Sequence, residues 1–476
     1  MMVFPFMWYD FWGNDLPSQV EGSLRTRKEH LMPKISQASL PHQPQEERQN
    51  PTRTRISPFG WVMIVLLLVL GAINFADKAV LGLAAVPIIK ELHLSPAQYG
   101  LVSSSLFWFF ALSSVLVTSW ADVVGTKKIL GLLATTWAIV QLASVFVTTF
   151  LALLLTRIVL GAGEGPSYGT SVTAASKWLP PDRRAFGLGV VTFGSAIGPA
   201  VFAPLLTLVI VMVGWRIAFA SLGIVGALWV ITWLLVARER PVDVSAAVNE
   251  TYVARHRTNW TQVLPILFSR NIIFIILAAF SVYWGTALSL SWTPVYLVTV
   301  LHLTLTSPLY IAGVSLPWIV QGLTLFACGA LADRAFRRTG SAPRSRVLPA
   351  GALLILGAVF LSLALNIPST LGAVTFFILA ATAGAAIPLL GAIVLDVAPQ
   401  AHRGFFQGVV VGIATLPGFI APFVTGVMVQ AAGRNAMQGL QSAYVLAALL
   451  LLVCGVVFIA CVRPEEASAE AGSLSP

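Results

Sequence analysis

Within a long apolar run that begins near Thr149, the chain places Arg157 and Glu164 seven residues apart. On an α-helix that spacing sets both on one side, two turns or about 10 Å apart. A charge at the centre of a membrane helix costs roughly 2.5–3.5 kcal/mol. Such charges are kept for solute pathways, proton relays or buried pairs. Gly161, Gly163, Gly165 and Pro166 lie among and after them, which allows close helix approach and a kink. A second pair, Asp77-Lys78, interrupts an earlier apolar run. Two cations can hold a carboxylate by charge-assisted hydrogen bonds, and two acids can take up protons. The chemistry suggested is anion binding linked to proton movement. The competing reading is structural, with Asp77 paired to Lys78 or Arg157.

Those charges need a membrane scaffold around them, and the composition supplies one. Of 476 residues, 57% are hydrophobic and 10% charged, where a soluble domain carries about 25% charged residues. Mean hydropathy is +0.84. Repeated apolar runs predict an all-α membrane protein with twelve transmembrane helices. They span about 59–86, 97–120, 127–147, 150–173, 185–213, 216–236, 271–300, 307–331, 347–366, 370–396, 404–430 and 440–462. The domain plan is a disordered cytoplasmic tail (1–56), a six-helix bundle (57–237), a central cytoplasmic loop (238–270), a second six-helix bundle (271–463) and a cytoplasmic tail (464–476). The aromatic opening MMVFPFMWYDFWG has no basic n-region and is no signal peptide. It suits either an interfacial anchor or an upstream start codon ahead of Met32.

The net charge of +10 does not imply a nucleic-acid partner. Of 29 Lys and Arg, 24 fall in loops on the side of the termini; Lys90, Arg216 and Arg434 lie on the other side, and Lys78 and Arg157 inside helices. The positive-inside rule then expects both termini in the cytoplasm and the chain in the inner (plasma) membrane. The three cysteines lie in apolar runs and the six histidines in the tail or loops. No metal spacing, cofactor motif or exposed catalytic constellation appears, so neither a metal nor a cofactor nor enzyme activity is expected.

The chain also repeats itself. Asp122 with Lys127 and Lys128 follows the second helix; Asp333 with Arg334 follows the eighth, 211 residues on from Asp122 to Asp333. Each is an acidic-then-basic turn between two helices, as a two-bundle transporter requires. With these turns the sequence resembles the major facilitator superfamily. Within it, the chain is similar to the anion:cation symporters, through Asn74-Phe-Ala-Asp77-Lys78 and Arg157-x-x-x-Gly161-x-x-Glu164-x-Pro166. Trp178-Leu-Pro with Arg183-Arg184, Gly214-Trp215-Arg216, Trp292-Thr-Pro-Val-Tyr296 and Arg403-Gly404 extend the likeness over roughly 57–463. The resemblance implies import of sugar acids, phthalate-like aromatic acids or other carboxylates. It also implies that the two turns latch a cytoplasmic gate. The chain departs from that pattern at Thr118 and Val123, where Gly and Arg are usual, and at Lys78, where Arg is usual. A lysine lacks the bidentate fork of an arginine.

The expected mechanism is proton-coupled import of a small organic anion by a monomer in the lipid bilayer. Arg157, helped by Lys78, binds the carboxylate; Tyr168, Tyr283 and Gln321 add hydrogen bonds. Glu164 and Asp77 are the proton-coupling candidates. A substrate that claims Arg157 leaves Glu164 less compensated, so proton and substrate binding favour each other. Trp284, Trp292, Tyr296, Trp318 and Thr415 are further candidates in the second half. Leu106-Phe-Trp-Phe-Phe110 suits either an aromatic acid or a lipid-facing surface. The rival readings are an exchanger or exporter of the same fold, for organophosphates or drugs, and a non-transporting membrane sensor. The sequence does not name the carboxylate.

Overall fold

Apolar length decides the architecture. The computed structural model describes residues 56–180, 183–239, 260–339, 341, 343–399 and 402–463. The expected N-terminal tail, most of the central loop and the C-terminal tail lie outside the described residues, as do the side chains of Asp122 and Asp333. Among the described residues, twelve helices are long and apolar enough to cross a membrane. They are α1 (Pro58–Leu83), α2 (Pro96–Thr118), α3 (Thr126–Phe146), α4 (Phe150–Ser176), α5 (Phe186–Val213) and α6 (Trp215–Val236). The second set is α7 (Arg270–Ser291), α8 (Pro308–Thr339), α9 (Ser345–Asn366), α10 (Thr370–Val397), α11 (Phe405–Ala431) and α12 (Ala436–Cys461).

Local sequence sets the helix starts. Ser57 accepts a hydrogen bond from the Gly60 amide at 3.0 Å, with Pro58 as the first helical residue. Ser95 and Gln98 form a reciprocal capping box at the start of α2. Thr149 accepts from the Ala152 amide at 3.2 Å and opens α4. These caps satisfy amides that have no partner within the helix. The turns into α3 and α6 pass through Gly125 and Gly214, at φ 101° and 96°, where a side chain would be strained.

In the first bundle, α5 packs along α1 and α6 along α3; in the second, α9 packs along α12. The bundles meet most closely at the end opposite the termini. A Cβ on Gly82 would collide with the Leu290 carbonyl, and one on Gly100 with that of Pro422. Two hydrogen bonds cross between bundles there, from Tyr99 Oη to Ser291 O at 2.8 Å and from the Ala97 amide to Gln430 Oε1 at 3.3 Å. Tyr99 also stacks edge-on against Trp292, whose indole donates to Pro422 O at 3.0 Å.

Several spans are broken near their middles. In α4 the first helical segment ends at Glu164 and the next begins at Ser167, so the helix is interrupted at Gly165-Pro166. The α-helix of α2 is interrupted over Leu106–Phe109, and α11 at Thr415–Leu416.

The contact at Gly82 gives a prediction. Gly82→Val should force α1 and α7 apart, at a cost of about 1–3 kcal/mol, and populate molecules open at that end. A cysteine placed at Ser291 should then react several-fold faster with a membrane-impermeant maleimide than in the Gly82 parent. An unchanged rate would show that this contact does not hold the end closed.

Candidate functional site

Lys78 and Glu164 form the centre. The two side chains make a direct ion pair between α1 and α4. Lys78 also donates to Asn74 Oδ1, one turn earlier, at 2.5 Å, and approaches the Asn74 carbonyl at 3.4 Å. Two rings flank the ammonium, Phe75 at 5.0 Å and Phe110 at 5.6 Å to their centroids. Their faces carry partial negative charge that favours a desolvated cation. The Asn74 amide faces Glu164 as well, yet neither Asn74 Nδ2 nor Glu164 Oε1 has a well-formed hydrogen bond. The glycines beside these charges permit this packing. Gly161 lies directly against the Leu106 carbonyl, where a Cβ would not fit.

Asp77 and Arg157 lie deeper in the first bundle and are joined through a residue that sequence reasoning missed. Gln141 on α3 donates from Nε2 to Asp77 Oδ1 at 2.6 Å. Its Oε1 accepts from Arg157 Nη2 at 3.3 Å. The same Nη2 donates to Ser144 Oγ at 3.0 Å, and the guanidinium lies 4.8 Å from the centroid of Phe219 on α6. Arg157 Nη1 has no hydrogen-bond partner. Asp77, Gln141, Arg157 and Glu164 are all essentially inaccessible to solvent. A glutamine and a serine in apolar helices were the available signal for this network.

The four charges therefore pair differently from either sequence expectation. Lys78 takes Glu164 rather than Asp77, and Arg157 reaches Asp77 only through an amide. Lys78 is also the charge nearest the other bundle. It lines a small cavity with Ser103 and Phe107 from the first bundle and Ala287, Ser291 and Pro422 from the second. A larger cavity of about 90 Å³ lies within the second bundle, lined in part by Thr286, Ser289, Trp318 and Gln321. That exceeds the ~10–15 Å³ that one water needs. Phe75 meets Trp318 edge-on at 6.2 Å, so one aromatic contact connects the surroundings of Lys78 to those of Gln321.

The other expected residues are more dispersed. Tyr168 is 59% exposed, with its hydroxyl 3.4 Å from Thr192 Oγ1 on α5. Tyr283 is half-buried on α7. Trp284, Trp292 and Tyr296 are buried. Phe107 lines the Lys78 cavity, while Trp108 and Phe109 are exposed. In the two turns expected to form a gate, Lys127 donates to the Leu234 carbonyl at 2.9 Å, and Lys128 and Arg334 are exposed. The organising residue at the first turn is Glu239, which the sequence did not single out. Its carboxylate accepts from the Thr126 and Lys127 amides at 3.2 and 2.8 Å and from Lys177 Nζ at 2.6 Å. It thus caps α3 with the charge its N-terminus favours and ties α3, α4 and the end of α6 together.

Twelve membrane-spanning helices around a buried, charged centre are the architecture of a secondary transporter. The family model described as Major Facilitator Superfamily matches residues 67–380 and 340–475. The chain belongs to that superfamily, a family of transporters. It is 28% identical over 411 residues to the hexuronate transporter of Bacillus subtilis, covering 84% of this chain and 94% of that one. It is 26% identical over 378 residues to a probable sulfoacetate transporter of Cupriavidus necator, covering 76% and 85%. In fold it matches a bacterial homologue of the human lysosomal transporter Spinster, solved inward-facing and unoccupied, with a TM-score of 0.72 at 20% identity. That match covers 86% of this chain and 98% of the other.

Glu239 supplies a pH-dependent prediction. Partial burial raises its pKa, but Lys177, the Lys127 amide and Thr126 outweigh this and hold it below the usual value of 4.5. A depressed folded-state pKa contributes stability that is present above about 4.5 and lost as pH falls through the folded value. Glu239→Gln should therefore lower the unfolding temperature at neutral pH, and the gap from the parent should close at about pH 3. A gap that persists unchanged in acid would remove the carboxylate as its cause.

Proposed function

We propose that this protein imports a sugar acid of the hexuronate type together with a proton, across the inner (plasma) membrane, with both termini cytoplasmic. The carrying observation is the charge balance of the buried centre. Asp77 and Glu164 offset Lys78 and Arg157, so the empty site is formally neutral. A monoanionic carboxylate entering it leaves one uncompensated negative charge in an apolar bundle, which is costly. One proton restores neutrality. Lys78 makes the first contact, because it lines the cavity between the bundles, and Glu164 is the acid it leaves behind. Protonation of Glu164 releases Lys78 to the incoming carboxylate, and substrate on Lys78 favours the proton on Glu164 by linkage. Arg157 and Asp77 adjust the charge behind this pair. Thr286, Ser289 and Gln321 offer hydroxyl and amide groups to the hydroxylated end of the substrate, with Tyr283 and Tyr168 along its route.

The tight contacts opposite the termini support a conformation that opens on the face carrying them. Under this topology it is the cytoplasmic face, where the turns carrying Asp122, Lys127, Lys128, Asp333 and Arg334 form the closing latch. Positive loops on that side and the hexuronate and sulfoacetate relatives support the same reading.

Reconstitution into liposomes tests it. An inward acid gradient should drive accumulation of labelled glucuronate, and a protonophore should abolish it. Uptake of this monoanion with one proton should be electroneutral, hence unchanged by a potassium diffusion potential. Uptake that instead requires glucuronate on the far side would identify an exchanger. Lys78→Ala should raise KM roughly ten- to hundred-fold, as expected for losing about 1.5–3 kcal/mol of a charged hydrogen bond. In Glu164→Gln, accumulation should no longer follow the pH gradient; if it still does, Glu164 is not the coupling residue.

A further inference from the structure

We propose that Gln141 is a positioning residue that transmits the protonation state of Asp77 to Arg157, and through Arg157 to the Lys78–Glu164 pair. The inference rests on the proton-coupled reading above and extends it to a residue outside the charged set.

The orientation of the Gln141 amide follows from its neighbours. A guanidinium can only donate, and an ionised carboxylate can only accept. With Asp77 ionised, Gln141 must turn Nε2 to Asp77 and Oε1 to Arg157, which is the arrangement at 2.6 and 3.3 Å. The amide is buried, 1% exposed, so water cannot easily replace either partner. A proton on Asp77 changes the terms. The neutral carboxyl is a weaker acceptor and carries an O–H of its own. Donating that O–H to Gln141 Oε1 requires the amide to rotate, which turns Nε2 toward Arg157. Two donors then face each other, and Arg157 Nη2 loses one of its two side-chain acceptors on α3. Ser144 alone remains.

Arg157 has a second acceptor within reach of its field. Both Asp77 and Glu164 act on it electrostatically. Its Nη1 and the Glu164 Oε1 are each buried without a hydrogen bond. An Arg157 released by Gln141 is drawn toward Glu164 and competes there with Lys78. Lys78, on the cavity between the bundles, then becomes available to a carboxylate. The proton enters on Asp77 and, once the carboxylate holds Lys78, passes to Glu164, the acid left behind in the proposed cycle; apart from that transfer only hydrogen bonds are exchanged. The charged groups that face Asp77 are Lys78 on its own helix and Arg157 and Glu164 on α4. From α3 it meets the Gln141 amide. The only basic or acidic residue of α6 is Arg216, at its start, about one turn before Phe219 and paired with Glu91; α5 has none.

A merely structural Gln141 would fill the same space and satisfy the same groups, so the test must read proton linkage. The protein is reconstituted without substrate, with isotope-labelled arginine, and titrated by infrared spectroscopy. Arg157→Lys identifies the Arg157 guanidinium band, and Asp77→Asn the Asp77 carboxyl band. In the parent the guanidinium band should shift as the Asp77 carboxyl band appears. In Gln141→Met, which keeps the volume and loses both hydrogen bonds, the carboxyl band should still titrate and the guanidinium band should stay still. Asp77→Asn, a neutral side chain beside an intact Gln141, should hold the guanidinium band at its low-pH position at every pH. This keeps the inference testable if Gln141→Met does not fold. In transport, the fall of KM for glucuronate with falling pH should flatten in Gln141→Met and return in Gln141→Asn. A guanidinium band that tracks Asp77 equally in Gln141→Met, or that still titrates with Asp77→Asn present, overturns the relay. A parent protein whose glucuronate transport ignores pH overturns the proton-coupled reading instead, and the infrared result then decides Gln141 by itself.

Discussion

An apolar bundle that holds four ionisable groups has to neutralise their charges internally, and the Lys78–Glu164 pair is where this protein does so most directly. Glu164 is inaccessible to solvent and Lys78 is only 9% exposed. In such a place the loss of one partner strands the other, at a cost of about 3–5 kcal/mol. Much of the surrounding structure follows from that constraint. The break after Glu164 and the close approach of Gly161 to α2 bring α1, α2 and α4 together around one ammonium. Phe75 and Phe110 keep water out while tolerating the cation. The arrangement is stable only while every charge keeps a partner. That makes it responsive to a single added charge, whether proton or anion.

A centre with that sensitivity is useful only if the bundle that carries it moves as a body. Clasps at both ends of the first bundle serve this. At the end opposite the termini, Glu91 accepts from the Trp215 indole at 2.7 Å and pairs with Arg216, which in turn donates to the Val147 carbonyl at 2.7 Å. Arg216 and Trp215 hold the Glu91 carboxyl below the usual carboxylate range. At the other end Glu239 gathers α3, α4 and α6. Between the bundles the contacts are of another kind. Backbone lies directly against backbone at Gly82 and Gly100, and among the described residues the polar links that cross over are single hydrogen bonds such as Tyr99 to Ser291. Such a surface can separate without breaking an ion pair, whereas each clasp would have to lose one. In the proposed cycle, motion therefore falls at the junction between bundles, where the Lys78 cavity lies.

The large-scale design was legible in the sequence because it rests on one-dimensional signals. The length and apolar character of the twelve spans need no knowledge of which helices touch. The four charges were legible for the same reason, since each interrupts an apolar run. Their partnership was not. Asp77 and Lys78 are adjacent, so on a helix their side chains point about 100° apart. One faces α3 and the other faces α4 and the second bundle, which spacing alone does not reveal. Gln141 and Glu239 escaped notice for a different reason. Each matters through a neighbour far away in the chain, and neither has a local pattern that marks it. An uncharged amide in an apolar helix resembles many that only satisfy a backbone group.

The identity of residue 78 bears on how tightly the two ligands are linked. An ammonium has three protons to donate. In this structure Glu164, Asn74 Oδ1 and the Asn74 carbonyl lie around it at bonding or near-bonding distance. No donor is left over for a substrate, so a carboxylate can bind Lys78 well only by displacing one of these. Asn74 is on the same helix, one turn away, and moves with Lys78; Glu164 is the partner that can be given up. Giving it up leaves a buried carboxylate without its cation, and a proton is the cheapest remedy. A guanidinium at this position, with five donors in a planar fork, could hold Glu164 with one edge and the substrate with the other. It would thereby bind the anion without demanding the proton. The smaller cation sacrifices the second edge and makes substrate and ionised Glu164 competitors for the same charge. In the proposed cycle, competition of that kind, rather than strength of binding, links one flux to the other.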